Sequence, residues 1–173
     1  MKTITRMSKI SKITPCLWFD NNALEAAEFY VSVFKSKSKI ERITYYGDAG
    51  SVASGRPAGS VMTVTFTLAG QQFLAMNAGP HFKFTEAISL IVNCDTQKEI
   101  DDVWKKLCSG GGKEVQCGWL KDKFGLSWQV VPKAHWKMMT DKDHKKSDRV
   151  FAAYIGMKKI NLDALKQAYA GIQ

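Results

Sequence analysis

The sequence has no long hydrophobic run. Its longest uncharged, apolar-leaning stretch is SVMTVTFTLAG, residues 60–70, which threonines interrupt, and a membrane-spanning helix needs roughly 20 apolar residues. A soluble chain without a membrane segment is expected. The N-terminal MKTITRMSKISK contains no acidic residue and no apolar segment of the length found in secretory signals, nor a small-residue cleavage site. It reads as a basic leader over residues 1–12. Cysteine is sparse: Cys16, Cys94, Cys108 and Cys117 are the four in 173 residues. That density does not indicate disulfide staples, so reduced thiols in a cytoplasmic protein are expected.

Several catalytic signatures are missing too. No serine sits in a G-x-S-x-G elbow, which argues against an esterase-type nucleophile. The three histidines, His81, His135 and His144, lack the i, i+4 pairing of a helix-borne metal site. The one glycine cluster, Gly110 to Gly112, follows a helical pattern instead of joining a strand to a helix, so nothing is suited to cradle a nucleotide-like cofactor. No cofactor is expected.

What is present suits one folded domain: 45% apolar residues, 11% aromatic, enough for a substantial core. The net charge of +9 is confined to the ends. Residues 1–12 carry four basic groups and no acid, residues 13–131 carry twelve of each sign, and residues 132–173 carry nine basic against four acidic. Acids interleave with the C-terminal lysines, so a solvated basic surface is favoured over a phosphate track, and nucleic acid is not the expected partner.

Periodicity organises the middle of the chain. ITPCLWF (13–19) reads as a strand. Asn22 with Glu25 has capping-box spacing, followed by Leu24, Ala27, Val31 and Phe34 at helical intervals. Strands follow at 40–46, 60–69 and 72–78, the second alternating Val64, Phe66 and Leu68 against threonines, with Ala69-Gly70-Gln71 as a hairpin turn and 47–59 as a loop. The order then restarts: a strand at 87–94, a second capping box at Thr96 and Glu99, and Ile100, Val103, Trp104 and Leu107 on one helical face. Glycines 110–112 close that helix, and strands at 114–120 and 126–132 follow. Short helices are expected at 134–139, 149–157 and 162–169. The two caps lie 74 residues apart, each after one strand and before more, a repeat of topology and not of residues.

Three strings, ITPCLWF with the following EAAEFY helix, NAGPHFKFTEAISLIVNCDTQKEIDDVWKKL, and CGWLKDKFGLSWQVVP, together with the MKKINLDALKQAY tail, resemble PhnB-like members of the glyoxalase/bleomycin-resistance (vicinal oxygen chelate) superfamily. The resemblance covers about residues 13–170. It implies an α+β fold of two βαβββ modules, about 13–79 and 86–132, forming a curved mixed sheet with a cleft, plus a C-terminal helical extension over 133–173. It also implies a homodimer. Relatives in this group carry the label 3-demethylubiquinone methyltransferase domain. The superfamily holds a divalent metal with four His, Glu or Gln side chains, and the corresponding places here hold Pro15 or Cys16, Met76 or Asn77, Ile88 or Ser89, and Gln129. One amide does not hold a catalytic zinc, so no metal is expected.

The expected ligand-binding set is Cys16, Trp18, Asn77, Cys117, Trp119 and Gln129, an aromatic and amide lining for an unidentified small molecule. No catalytic residue is assigned, and whether the protein is an enzyme stays open. Strand alternation puts Trp128 and Gln129 on opposite faces, and the resemblance turns Gln129 inward. The alternatives are a metal-dependent lyase or dioxygenase drawing on His81, Glu86 or Asp122, a nucleic-acid binder, and a purely structural or interaction protein.

Overall fold

The computed structural model describes residues 11–172, so all but two residues of the basic leader lie outside the described part. The chain divides into two compact units, Met1–Lys83 and Phe84–Gln173.

Unit 1 runs β1 (Cys16–Phe19), α1 (Ala23–Phe34), β2 (Lys39–Tyr45), α2 (Asp48–Ser54), β3 (Val61–Leu68) and β4 (Gln71–Asn77). Its sheet order is β1-β4-β3-β2. β1 lies parallel to β4, with Trp18 beside Met76, and the other pairs are antiparallel. Leu68 pairs with Gln71, leaving Ala69 and Gly70, both at positive φ (48° and 91°), as a two-residue turn whose twist matches the strands.

Helix α1 packs on β2, β3 and β4. The residues it buries are Ala23, Ala26, Ala27, Tyr30 and Val33, so the buried stripe is rotated from the expected Leu24, Ala27, Val31 and Phe34. The alanines allow close approach to the sheet, and the larger side chains flank the seam. Val64, Phe66, Leu68, Phe73 and Ala75 face the helix, and Tyr30 and Phe66 stack at 6.4 Å between centroids. Burying each such aromatic contributes about 1.5–3 kcal/mol.

Residues 47–59 are not wholly a loop. Helix α2 forms there with no buried residue and ends at Gly55 in the left-handed region, φ 70°, where a side chain would be strained. It lacks an apolar face, so periodicity could not announce it.

Unit 2 repeats the plan as β5 (Ser89–Cys94), α3 (Gln97–Leu107), β6 (Lys113–Glu114), β7 (Trp119–Lys121) and β8 (Ser127–Pro132), then adds α4 (Lys133–Met139), α5 (His144–Ile155) and α6 (Leu162–Ala170). The sheet order is β5-β8-β7-β6, again with the first strand parallel to the last. The two sheets and six helices among the described residues make the α+β fold that the resemblance implies.

Ile100, Val103, Trp104 and Leu107 are all buried, as their spacing predicts. The Thr96 cap forms: Thr96 Oγ1 accepts from Glu99 N, and Glu99 Oε2 accepts from Asp95 N. The expected strand 114–120 is broken in two. Residues 115–118 turn through Cys117 (φ 58°) and Gly118 (φ 75°), because Cys117 N and Gly118 N donate to Met157 O and Lys158 O instead of a strand partner.

The C-terminal helices bury Met138, Val150, Ile160 and Leu165 as a separate cluster. Gln97 ties that cluster to α3, donating to Ile160 O and accepting from Leu162 N.

Candidate functional site

Each sheet has one face under α1 or α3 and an opposite, helix-free face that this helix does not cover, α4 reaching only one end of it in unit 2, and the pleat decides which side chains reach the latter. In unit 1, Leu17 and Phe19 are buried while Cys16 and Trp18 alternate with them on the other side. The register puts Leu74 and Met76 of β4 beside Cys16 and Trp18, with Thr63 and Thr65 of β3 next in the row. Trp18 Nε1 donates to Gly79 O at 2.8 Å, and Phe82 packs edge-on at 4.9 Å. Cys16, exposed as a residue, has its thiol pushed up by desolvation, which keeps it protonated at neutral pH.

Asn77 sits one residue beyond Met76 and therefore turns to the helix side. Its Oδ1 accepts from Ala23 N at 2.8 Å and its Nδ2 donates to Val61 O at 3.0 Å, while its own carbonyl accepts from Tyr46 Oη. Asn77 is 5% exposed: it caps α1 and braces β3, and it does not join Cys16 and Trp18. The residue at the cap position, Asn22, makes no side-chain cap bond, so the capping box read at Asn22 and Glu25 is replaced by a cap from the last strand.

In unit 2 the helix side takes Leu120, Trp128 and Val130, all buried. Trp128 Nε1 donates to Asp122 Oδ2, and Asp122 Oδ1 accepts from the backbone N–H groups of Phe124 and Leu126. Asp122 is thus a turn brace. The helix-free side takes Ser89 and Ile91 of β5, Ser127 and Gln129 of β8, and Trp119 and Lys121 of β7, aligned by the pairs Ser89–Ser127, Ile91–Gln129, Trp119–Gln129 and Lys121–Ser127. Gln129 Nε2 donates to Ser89 Oγ at 2.8 Å. Lys121 pairs with Glu86 at 2.6 Å, and that bond holds the Glu86 carboxyl below its usual range. At the far end of this face, Trp136 of α4 donates to Asn93 Oδ1.

Cys117 lies in the turn before β7, with its thiol toward Ile155 O and its carbonyl accepting from Tyr154 Oη. Its contacts are with the C-terminal helices, not with the face that carries Trp119. Of the six expected ligand-binding residues, Cys16 and Trp18 share the helix-free face of unit 1, and Trp119 and Gln129 share that of unit 2. Ser127 was not among the expected residues, although its i−2 position from Gln129 on one strand marks it as a face-mate.

Residues 11–131 match the model of the family described as 3-demethylubiquinone-9 3-methyltransferase. The chain belongs to this family. A solved relative, the PhnB protein of Bacillus cereus, is 38% identical over 70% of this chain and 99% of its own, with a TM-score of 0.62. Protein PA1353 from Pseudomonas aeruginosa is 22% identical over 72% of this chain and 98% of its own, TM-score 0.57, a likeness of fold. No curated protein matches. These likenesses place the chain among the PhnB-like proteins of the glyoxalase/bleomycin-resistance superfamily.

The superfamily's metal can be tested against the residues present. Of the places that the resemblance implies for its four ligands, Cys16 and Met76 in unit 1 and Ser89 and Gln129 in unit 2 lie on the helix-free faces, whereas Asn77 faces the helix. One thiol, a thioether, a hydroxyl and an amide offer a single strong donor among them, short of the three protein ligands that a catalytic divalent centre takes. Among the described residues no three His, Cys, Asp or Glu side chains come together, and Glu86 and Asp122 are engaged as above. The donor set of this PhnB-like chain does not fit a chelated metal. Gly110 and Gly111, at φ 70° and 111°, form the turn that follows α3. Among the described residues no helix is long and apolar enough to cross a membrane.

Proposed function

We propose that this PhnB-like protein binds a small organic molecule on the helix-free faces of its sheets without a resident metal, as a homodimer in the cytoplasm. The observation that carries this reading is the content of the four superfamily ligand positions. Cys16, Met76, Ser89 and Gln129 are uncharged groups that pack or hydrogen-bond instead of chelating, and Trp18 and Trp119 stand beside them on the same faces. Such a mix of aromatic wall and few polar groups is what small-molecule sites use. The four cysteines are free thiols, in keeping with a reducing compartment.

A phosphate-binding role finds less support, because Lys121, Lys133, Lys159 and Lys166 are each ion-paired with an acid. The test is a thermal-shift screen of metabolites on untagged protein, with elemental analysis of the same batch. A stabilising compound whose effect is lost in Trp119→Ala, with no stoichiometric metal, is expected. A stoichiometric metal whose removal abolishes binding overturns the reading. A sedimenting species of 19.3 kDa would overturn the homodimer.

A further inference from the structure

Unit 1 holds an open pocket of about 440 Å³ whose walls include Lys37, Lys39, Glu41, Thr67 and Gln72. That volume lies in the range of small-molecule sites. Three strands bring these residues together. Lys39 pairs with Thr67 and Thr67 with Gln72, one row across the helix-free face. Gln72 precedes Leu74 and Met76 on β4, so the row lies at the opposite end of that face from Trp18, whose partner is Met76. The connection from α1 to β2 is stitched to the β3–β4 turn, Gly70 N donating to Lys37 O and Ala69 N to Ser38 Oγ, which fixes the backbone of Lys37 against the pocket.

Between Ile40 and Arg42, β2 takes two steps against one step of β3, a bulge with Glu41 as the extra residue. A bulge re-aims a side chain. Here the Glu41 carboxylate turns over the row, accepting from Thr67 Oγ1 at 2.7 Å and from Gln72 Nε2 at 2.9 Å. Neutral donors thus hold it in place. Lys37 and Lys39 are exposed, and among the described residues neither is ion-paired, although both line the same pocket as Glu41. In unit 2, by contrast, Lys121 and Lys133 are closed off by acids. Every other residue lining the pocket is a hydroxyl residue, an amide or a glycine, so it has no aromatic or aliphatic wall.

A ligand that fits is polar throughout and negatively charged. Two ammoniums against one carboxylate disfavour a cation, and the lack of an apolar wall disfavours an aromatic or alkyl body. We infer that the pocket receives a polyhydroxylated organic anion, a sugar acid or sugar phosphate. Its anionic group pairs with Lys37 and Lys39, and its hydroxyls donate to Glu41 and to Thr67 Oγ1, since a carboxylate accepts several hydrogen bonds at once. The site is confined to unit 1 and contains no tryptophan, so it goes beyond the reading of aromatic-lined faces and stands or falls separately from it.

The experiment uses the full chain, ¹⁵N-labelled, with its backbone amides assigned. Gluconate, glucose 6-phosphate, glucose and inorganic phosphate are titrated separately. At least one of the two sugar anions should shift the Thr67 and Gly70 amides saturably. It should bind at least about tenfold more tightly than glucose, which lacks the charge, and than inorganic phosphate, which lacks the hydroxyls. The tighter sugar anion identifies a carboxylate or a phosphate as the charged group. Replacing both lysines, Lys37→Ala with Lys39→Ala, should weaken that binding about tenfold or more while the melting temperature stays at the parent's, since neither lysine has an ion-pair partner to lose. Added salt should weaken it as well. Glu41→Gln should abolish the advantage of the sugar anion over inorganic phosphate.

Glucose or inorganic phosphate binding as tightly as the sugar anions overturns the inference. So does unchanged affinity in the double lysine variant, or an undiminished advantage in Glu41→Gln. If no probe moves Thr67 and Gly70 it is also overturned, while the metabolite screen, read through Trp119→Ala, decides the proposed function separately.

Discussion

Units 1 and 2 share one topology and hold their helices by different means. The start of α3 is capped by Thr96, three residues from the N–H it accepts. The start of α1 is capped by Asn77, 54 residues from its partner. A local cap forms with the helix itself. A cap from the last strand forms only once the sheet has closed, so α1 depends on long-range structure where α3 does not. The helix-free faces differ in the same spirit: unit 1 shows Cys16, Trp18, Met76 and threonines, whereas unit 2 gathers Ser89, Ser127 and Gln129 around an unpaired hydroxyl. One topology thus carries different side chains at corresponding places in its two copies.

The sharpest way to break this comparison is to remove both caps. Asn77→Ala leaves Ala23 N–H and Val61 C=O without their buried partners and should cost about 3 kcal/mol, at about 1–3 per orphaned group. Thr96→Ala should cost about 1 kcal/mol, the usual value of an N-cap. Urea unfolding of both variants measures the gap, and equal losses would erase the distinction between a local and a long-range cap.

Next in size is Gly118→Ala. A Cβ there would lie 2.9 Å from Val130 O on a backbone at φ +75°, and the left-handed conformation alone costs a side chain about 1–2 kcal/mol. A loss of about 2 kcal/mol or more is expected. The turn between β6 and β7 is held by Met157 and Lys158, whereas Gly70 lies in a hairpin turn, so Gly70→Ala, at a positive φ with open space around the Cβ, should lose less.

A smaller effect concerns pH. His135 is buried against Tyr154 at 4.5 Å, its Nδ1 unpaired, and burial lowers its pKa. The unfolded chain then binds the proton first as pH falls, so the His135 contribution is complete above about pH 6.5 and is lost as pH drops through the lower folded value. His135→Phe should flatten the stability profile below pH 6.5, and an unchanged slope would refute the assignment.

Smallest in energy, but visible chemically, are the thiols of unit 2. Burial pushes Cys94 up to about 12 and Cys108 up to about 11, so both should resist iodoacetamide at pH 8 until the unit unfolds. Rapid alkylation in the native protein of Cys94, which is buried, or of Cys108, which is half-buried, would contradict these raised values.

The duplicated strand and helix order was legible because its signals are local. Thr96 with Glu99, the stripe from Ile100 to Leu107 and the Val-Phe-Leu alternation opposite threonines each lie within a few residues of chain, and the structure places them as their spacing predicts. Alternation also sufficed to set Trp128 and Gln129 on opposite faces. It could not tell whether Met76 or Asn77 shares the face of Trp18, since either register is self-consistent until β1 has paired with β4. Nor could it show that residues 115–118 leave the strand, because the carbonyls that draw Cys117 N and Gly118 N lie some 40 residues away at Met157 and Lys158.

By itself, then, the sequence determined the kind and order of the elements, the family resemblance and the paucity of metal-binding side chains, all of which follow from residue type and short-range period. Tertiary structure alone decided that Asn77 is a cap, that Cys117 faces the C-terminal helices and that Ser127 is buried without a partner. Each of these depends on which distant strand or helix fills the space beside a side chain, and hydrogen bonds between distant segments leave no periodic trace in the chain that makes them.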